Sequence, residues 1–328
     1  MRTRFRGQSV REVMLLSGRA GWAEFGPFPE YQAQECAPWL GAALHAGWTG
    51  LGSPLRSEVP VNATVPAIGP EQVQAVLSRY GELDTIPAVK VKVAEPGQTL
   101  EDDAARLTEV RKLLPRAGVR VDANAAWSIP EAVRALTRIV EITGSSFEYA
   151  EQPVAGIEPL AELRERLHQA GTPVPIAADE AVRKSADPLR VAQLGAADLI
   201  VVKVPPLGGV DRVLSIVARA GLPAVVSSAL DTSVGLSAGL ALAARLPELP
   251  YACGLGTVTL FGGELVNKPL VPTRGVLQVP VGSSPGGVVV VRSPEPDPEL
   301  LSRFGLSGER ASWWFDRLRA AYDVLHGS

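Results

Sequence analysis

Five apolar runs of this chain each end in a charged residue, and they follow one another at nearly constant intervals. The runs are 88–92 (AVKVK), 119–122 (VRVD), 147–151 (FEYAE), 176–179 (IAAD) and 199–203 (LIVVK). Their last residues, Lys92, Asp122, Glu151, Asp179 and Lys203, are separated by 30, 29, 28 and 24 positions. Such a step accommodates one strand, one helix and two loops, and roughly 250 residues make the eight units of a (β/α) barrel. In a barrel all strands end at one mouth, so residues far apart in sequence converge there. A doubly wound open sheet shares the local pattern. It is disfavoured because no glycine-rich phosphate loop follows the first run and the charged termini occupy five consecutive strands. The spacing therefore predicts an α/β chain built on a TIM-type barrel.

The flanks read differently. Residues 10–16 and 22–25 have the pattern of a hairpin about a glycine-containing turn. Residues 35–46 and 70–79 read as helices, the second with Pro70 and Glu71 in its first turn. These segments predict an α+β capping domain over 1–87. From 88 onward strands alternate with helices. Leu100, Ala104, Leu107, Val110 and Leu114 recur at helical spacing, and Ser128, Pro130 and Glu131 make an N-cap, an early proline and an acidic first turn. Helices are also predicted at 158–170, 188–194 and 210–220, with Gly171, Gly195 and Gly221 where helices end. Two further strands are predicted at 223–227 and 251–254, which places the barrel domain at 88–286. The remainder, 287–328, opens on a proline-rich connector and continues as a helix. Its Trp313, Trp314 and Phe315 are expected to pack on the barrel or back on the cap.

Composition excludes several functions. A formal net charge of −3 over 328 residues leaves no basic excess, so no nucleic-acid partner is expected. No run approaches the ~18 apolar residues of a membrane span, and the opening residues lack the apolar core of a signal peptide. Cys36 and Cys253 form neither a disulfide framework nor a metal spacing, which points to a reducing cytoplasm. A monomer or small homo-oligomer is expected. His45, His168 and His326 fall in helices or the tail, away from the strand ends.

The strand ends carry the chemistry. Asp122, Glu151 and Asp179 offer oxygen ligands with no histidine or cysteine, a donor set for Mg²⁺ or, alternatively, Mn²⁺. Asn124 and Glu180 adjoin them and are read as groups that orient the ligands, whereas Glu148 and Asp198 are read as structural. Lys90 and Lys92 are two residues apart on one strand and so face the same side. Two inward ammonium groups need anions to meet them. Their proximity to each other and to a metal is expected to lower the pKa of one, leaving a neutral amine as general base near pH 7. Lys203 stands across the mouth. If the lysines served only to neutralise the carboxylates, the repeat at spacing two would have no explanation.

Taken in order, Lys90-Val91-Lys92, Val121-Asp122-Ala123-Asn124, Glu151-Gln152-Pro153, Asp179-Glu180 and Val202-Lys203 resemble the enolase superfamily, in its muconate-lactonizing-enzyme subgroup. The EFGP stretch at 24–27 resembles part of that family's cap. The resemblance implies a modified (β/α)7β barrel with a capping domain made from both termini. It also implies abstraction of a proton α to a carboxylate, with an enediolate stabilised by a divalent metal. Such a carbon acid is very weak, and its dianion needs fixed positive charge nearby.

Within the subgroup the chain is most similar to members that dehydrate 2-succinyl-6-hydroxy-2,4-cyclohexadiene-1-carboxylate to 2-succinylbenzoate in menaquinone synthesis. The residues that carry this are Arg120, the opening Arg2-Thr3-Arg4-Phe5-Arg6-Gly7, Ser227-Ser228 and Gly254-Leu255-Gly256-Thr257. The resemblance implies a small dicarboxylate substrate, with Lys92 as general base and then as acid to the departing hydroxyl. Lys203 would stabilise the enediolate as a cation and Lys90 would lower the pKa of Lys92. Substrate contacts are expected at Arg120, Ser227 and Gly254, with the opening arginines facing the anionic substrate. Racemisation of N-succinylamino acids uses the same lysines and stands as the alternative, with another activity of the subgroup such as muconate cycloisomerisation less supported by the arginines and Ser227. Dipeptide epimerases of the subgroup carry an Asp-x-Asp on the last barrel strand, which residues 254–259 (GLGTVT) lack. A barrel that binds an anion without catalysis is a third reading, and it would be expected to have lost one of the five charged positions.

Overall fold

A computed structural model describes residues 1–2, 8–185, 187–284 and 286–327. The opening hairpin is present as β1 (Met14–Gly18) and β2 (Gly21–Phe25), paired antiparallel with Gly18 opposite Gly21. It is followed by α1 (Ala33–Leu44), whose N-terminus is closed by a reciprocal Gln32–Glu35 capping box. After β3 (Glu58–Pro60) comes a short strand, β4 (Ala63–Val65). From there the chain alternates strictly. The next elements are α2 (Val73–Leu77), β5 (Ala88–Lys92), α3 (Leu100–Leu113), β6 (Gly118–Asp122), α4 (Ile129–Thr143), β7 (Phe147–Glu151) and α5 (Ile157–Gln169). They are followed by β8 (Ile176–Ala178), the short helices α6 (Glu180–Arg183) and α7 (Arg190–Gln193), β9 (Leu199–Val202), α8 (Val210–Ala220), β10 (Ala224–Val226) and α9 (Ser233–Arg245).

One parallel sheet runs β4-β5-β6-β7-β8-β9-β10. Residues 251–254 close it into a barrel through two parallel bridges, Ser227 to Gly254 on one side and Val61 to Cys253 on the other. This is the modified (β/α)7β barrel with an α+β cap. Two sequence expectations are corrected. The barrel begins at Ala63, not at 88, so the helix predicted at 70–79 is the first barrel helix and not part of the cap. The boundary at 286 falls inside a hairpin, β12 (Val281–Ser283) with β13 (Val289–Val291), which lies beyond β11 (Val276–Gln278) on β3. Strand β4 was missed because it is three residues long and ends on no charge.

Local signals explain the helix limits. The α3 N-terminus is a capping box in which Asp102 N donates to Thr99 Oγ1 (3.3 Å) and Thr99 N donates to Asp102 Oδ2 (2.7 Å). Ser128 and Glu131 repeat it at α4. Gly221 ends α8 in the left-handed region at φ 64°, where a Cβ would be strained. The C-terminal helix is broken into α10 (Pro298–Phe304) and α11 (Gly308–His326).

Helix α11 packs along α1, so the cap is made from both termini. Trp314 is the anchor. It is buried, its ring meets Phe25 edge-on at 6.1 Å, and its Nε1 donates to Glu12 Oε2 at 3.0 Å. Phe315, expected to share that packing, is 60% exposed. Among the described residues no helix is long and apolar enough to cross a membrane.

Candidate active site

Every strand of the closed barrel sends a residue to one cavity at its C-terminal mouth. In barrel order these are Thr64, the pair Lys90 and Lys92, Asp122, Glu151, Asp179, Lys203, Ser227 and Gly254. The parallel register sets their heights: Lys92 lies beside Asp122, and Asp122 beside Glu151. With the cavity at the strand ends, six charged side chains spread over 113 positions become neighbours. The carboxylates come from the third, fourth and fifth strands. The lysine of β5 and the one following β9 lie four strands apart in an eight-strand ring, and so on opposite walls.

The charges meet closely. Lys90 Nζ donates to Glu151 Oε1 and Oε2 at 2.9 and 2.8 Å and lies 3.2 Å from Asp122 Oδ2. Lys92 Nζ donates to Asp122 Oδ2 at 2.6 Å and also to Asn124 Oδ1. Lys203 Nζ donates to Asp179 Oδ2 at 2.5 Å. The six charged side chains are all buried. Burial works against the ammonium of Lys90, but Glu151 and Asp122 outweigh it and drive its pKa upward. Lys90 is thereby held as a cation by the carboxylates. Burial likewise opposes the charged form of Asp122, yet Lys92 and Lys90 hold its carboxyl below the ordinary range. Glu151 moves the other way: burial and the negative charge of Asp122 raise it to about 7.

Several residues that support the site were assigned no role from the sequence. Gln152, buried and at φ 37°, accepts from Asp179 N and Ala181 N (both 3.0 Å) through Oε1 and so fixes the turn that presents Asp179. Arg183 Nε lies 3.1 Å from Asp179 Oδ1. Its Nη1 donates to the Tyr31 hydroxyl at 3.2 Å, which ties the Asp179 turn to the cap. Phe28 of the cap, Ser228 and Leu230 also line the cavity. Gln152 and Ser228 stood in the motifs that carry the resemblance, and for Arg183 the hint was its helical spacing from Asp179. Asn124 and Glu180 lie beside the carboxylates. Asn124 N donates to Asp122 Oδ1 at 3.0 Å, and Glu180 pairs with Arg183.

Ser227 and Gly254 line the cavity together, and a Cβ on Gly254 would stand 2.6 Å from Ser227 Oγ. Arg120 does not reach it. It points into the barrel one layer below Asp122, where Nε donates to Glu148 Oε2 (2.5 Å) and Nη1 to Asn62 Oδ1 (3.0 Å) and the Ala252 carbonyl (2.6 Å). The rings of Tyr149 and Tyr251 pack on it at 5.0 and 5.8 Å. Strand alternation puts Arg120 on the same side as Asp122 but does not set its height, so its assignment as a substrate contact is withdrawn. Of the opening arginines, Arg2 Nε donates to the Phe261 carbonyl at 2.7 Å. Arg4 and Arg6 lie outside the described residues.

The Enolase C-terminal domain-like family matches residues 70–292 and the Enolase N-terminal domain-like family residues 1–47. The o-succinylbenzoate synthase of Mycobacterium marinum is 48% identical over 326 residues, which are 99% of this chain and 92% of that protein. The chain belongs to the o-succinylbenzoate synthase family of the enolase superfamily. Another family member, from Mycolicibacterium smegmatis, is also 48% identical, over 99% of this chain and 94% of that one. In fold the family member described here is similar to the muconate lactonizing enzyme of Pseudomonas putida, with a TM-score of 0.64 and 22% identity over 80% of this chain and 74% of that chain.

Enolase-superfamily enzymes use a divalent metal ion. The donor set fits one: three buried carboxylates on successive strand ends, facing one cavity, are oxygen ligands for a hard cation. Among the described residues no three His, Cys, Asp or Glu side chains stand in an ion-enclosing cluster. Lysine ammonium groups engage the carboxylates instead, so charge is balanced within the protein.

Proposed function

We propose that this enzyme converts 2-succinyl-6-hydroxy-2,4-cyclohexadiene-1-carboxylate to 2-succinylbenzoate and water in the cytoplasm, with Asp122, Glu151 and Asp179 as the ligands of Mg²⁺. The observation that carries this reading is the opposition of Lys92 and Lys203 across a cavity whose intervening wall is the three carboxylates. An ion held there supplies positive charge beside the substrate carboxylate as negative charge builds on its oxygens.

The chain's own groups do the rest. Lys92 Nζ takes the proton α to the carboxylate, and the C–H electron pair passes into the enediolate. As that pair returns to form the ring double bond, the C–O bond breaks. The departing hydroxyl takes the proton from the Lys92 ammonium and leaves as water, so the lysine is restored. Aromatisation makes this second step downhill. Lys203 faces the substrate as a cation and stabilises the enediolate without transferring a proton. Asn124 and Asp122 orient Lys92. Lys90 contributes fixed positive charge, while Ser227 and the backbone at Gly254 contact the succinyl part.

A second reading rests on the same opposition. Racemisation of N-succinylamino acids needs an acid and a base on opposite faces of one carbon, and Lys92 and Lys203 meet that requirement. The test is to give the purified protein Mg²⁺ and the cyclohexadiene substrate and follow the loss of its ultraviolet absorbance. Turnover that a chelator abolishes is expected. Absence of turnover alongside racemisation of N-succinylamino acids would overturn the assignment. The Lys203→Ala variant separates the two chemistries: racemisation should vanish while dehydration persists at reduced rate.

A further inference from the structure

Outside the chemical centre, one buried cluster spans the junction between cap and barrel and touches the residues that line the cavity. Arg11, just before β1, donates through Nε to the Leu230 carbonyl at 3.0 Å and through Nη2 to the Gly26 carbonyl. Its guanidinium carbon lies 4.8 Å from the centroid of the Phe28 ring. Phe28 and Leu230 are both buried, and both line the catalytic cavity, one from the cap and the other from the loop after β10. Leu230 is held at φ 61°, a left-handed conformation that costs a non-glycine residue strain and persists only where the surroundings enforce it.

The neighbours show that the junction is built around this arginine. Glu24 on β2 accepts from Thr232 N at 3.1 Å and from Thr232 Oγ1. Asp231 is buried beside them and accepts from Ala229 N at 3.1 Å, which shapes the loop that carries Leu230. Two glycines make room for the contacts: a Cβ at Gly26 would stand 2.9 Å from Arg11 Nη2, and one at Gly235 would stand 2.7 Å from the Glu24 carboxyl. One planar, multidentate group therefore reaches the cap loop, the barrel loop and the aromatic ring at once, which a lysine could not do.

We propose that Arg11 is a positioning residue for the dehydration: it fixes Phe28 and Leu230 as the apolar roof over the substrate ring, across the joint between cap and barrel. The inference rests on the reaction proposed above, in that the ring roofed is the cyclohexadiene of the substrate. Arg11 touches no reacting atom and acts through Phe28 and Leu230. A misplacement of about 1 Å in a group that positions substrate can cost up to about 10²-fold, so a smaller shift of this wall is enough for a measurable loss.

The test compares wild type with Arg11→Met, Arg11→Lys, Phe28→Leu and the Arg11→Met/Phe28→Leu double variant. Three quantities are read: kcat, KM, and Kd for the product 2-succinylbenzoate by fluorescence titration. Arg11→Met is expected to raise KM and the product Kd by about tenfold with a smaller change in kcat, and Arg11→Lys is expected to fall between it and wild type. Phe28→Leu is expected to do the same, and the double variant is expected to be no worse than either single one, because both changes remove the same roof. Effects that multiply in the double variant, or a KM and product Kd unmoved in a folded Arg11→Met, would overturn the proposal. Should Arg11→Met fail to fold, unchanged KM in both Arg11→Lys and Phe28→Leu would overturn it equally. A wild type that binds the product but does not turn over the substrate would instead sink the reaction while leaving the roof intact.

Discussion

Asp122 and Arg120 sit two residues apart on β6, both inside the barrel and both almost fully buried. Asp122 belongs to the upper layer, where lysines meet carboxylates beside a cavity. Arg120 belongs to the layer beneath, where Glu148, Asn62, a carbonyl and two tyrosine rings enclose it. The upper charges have partners that substrate and cation can replace. The lower charge has partners that nothing replaces. Burial of a charge alone therefore does not mark a catalytic site; what marks it is burial against a cavity that admits a ligand.

The comparison is broken most easily at its upper layer. Lys92→Ala should lower kcat by about 10³-fold, as expected for loss of a general base, with the circular dichroism spectrum and melting temperature near wild type. Full activity in that variant would remove Lys92 as the base. Arg120→Met should show the opposite profile. It leaves Asn62 Oδ1 and the Ala252 carbonyl buried without their donor, so denaturant titration should find a loss of about 3 kcal/mol while kcat per folded molecule is unchanged. A large fall in kcat at unchanged stability would return Arg120 to the active site.

Smaller effects sharpen the boundary. Gly254→Ala drives a methyl toward Ser227 Oγ at 2.6 Å. Its kcat/KM should fall by about tenfold if that wall holds the succinyl group. An unchanged value would place the succinyl part elsewhere. The smallest effect is expected at the junction. Burial, reinforced by Asp231 and opposed by Arg11 and Thr232, raises Glu24 from 4.5 to about 8. A carboxyl raised in the folded state binds more protons there than in the unfolded chain. Its stabilising contribution is complete below 4.5 and is lost as pH rises through about 8. Glu24→Gln, which cannot ionise, should therefore reduce the decline of melting temperature between pH 5 and pH 8. A decline identical to that of wild type would show that Glu24 is ionised in the folded protein throughout.

Much of the fold was legible because strand and helix periods, caps and terminal glycines are local properties. Asp122, Glu151, Asp179, Lys92 and Lys203 announced themselves by ending apolar runs at an interval that only a strand–helix repeat explains. Elements without such a mark were lost. Strand β4 is three residues with no terminal charge. Helix α9, reading SVGLSAGLALAAR, is buried on nearly all sides, so it has no polar face and no period to read. Gln152 and Arg183 act through contacts with Asp179, and the Arg11 junction joins positions more than two hundred residues apart.

By itself the sequence determined which residues could be strand ends, which faces they share and, from the ordered charges, the class of chemistry. Those properties repeat over two to four residues or over one strand–helix unit, and the chain carries them wherever it goes. Only the tertiary structure decided height within the barrel, which separated Arg120 from Asp122, and opposition across it, which set Lys92 against Lys203. It alone brought Phe28 and Leu230 together under Arg11. Height and opposition are properties of a closed ring of strands, and an alternating pattern read along any one strand does not contain them.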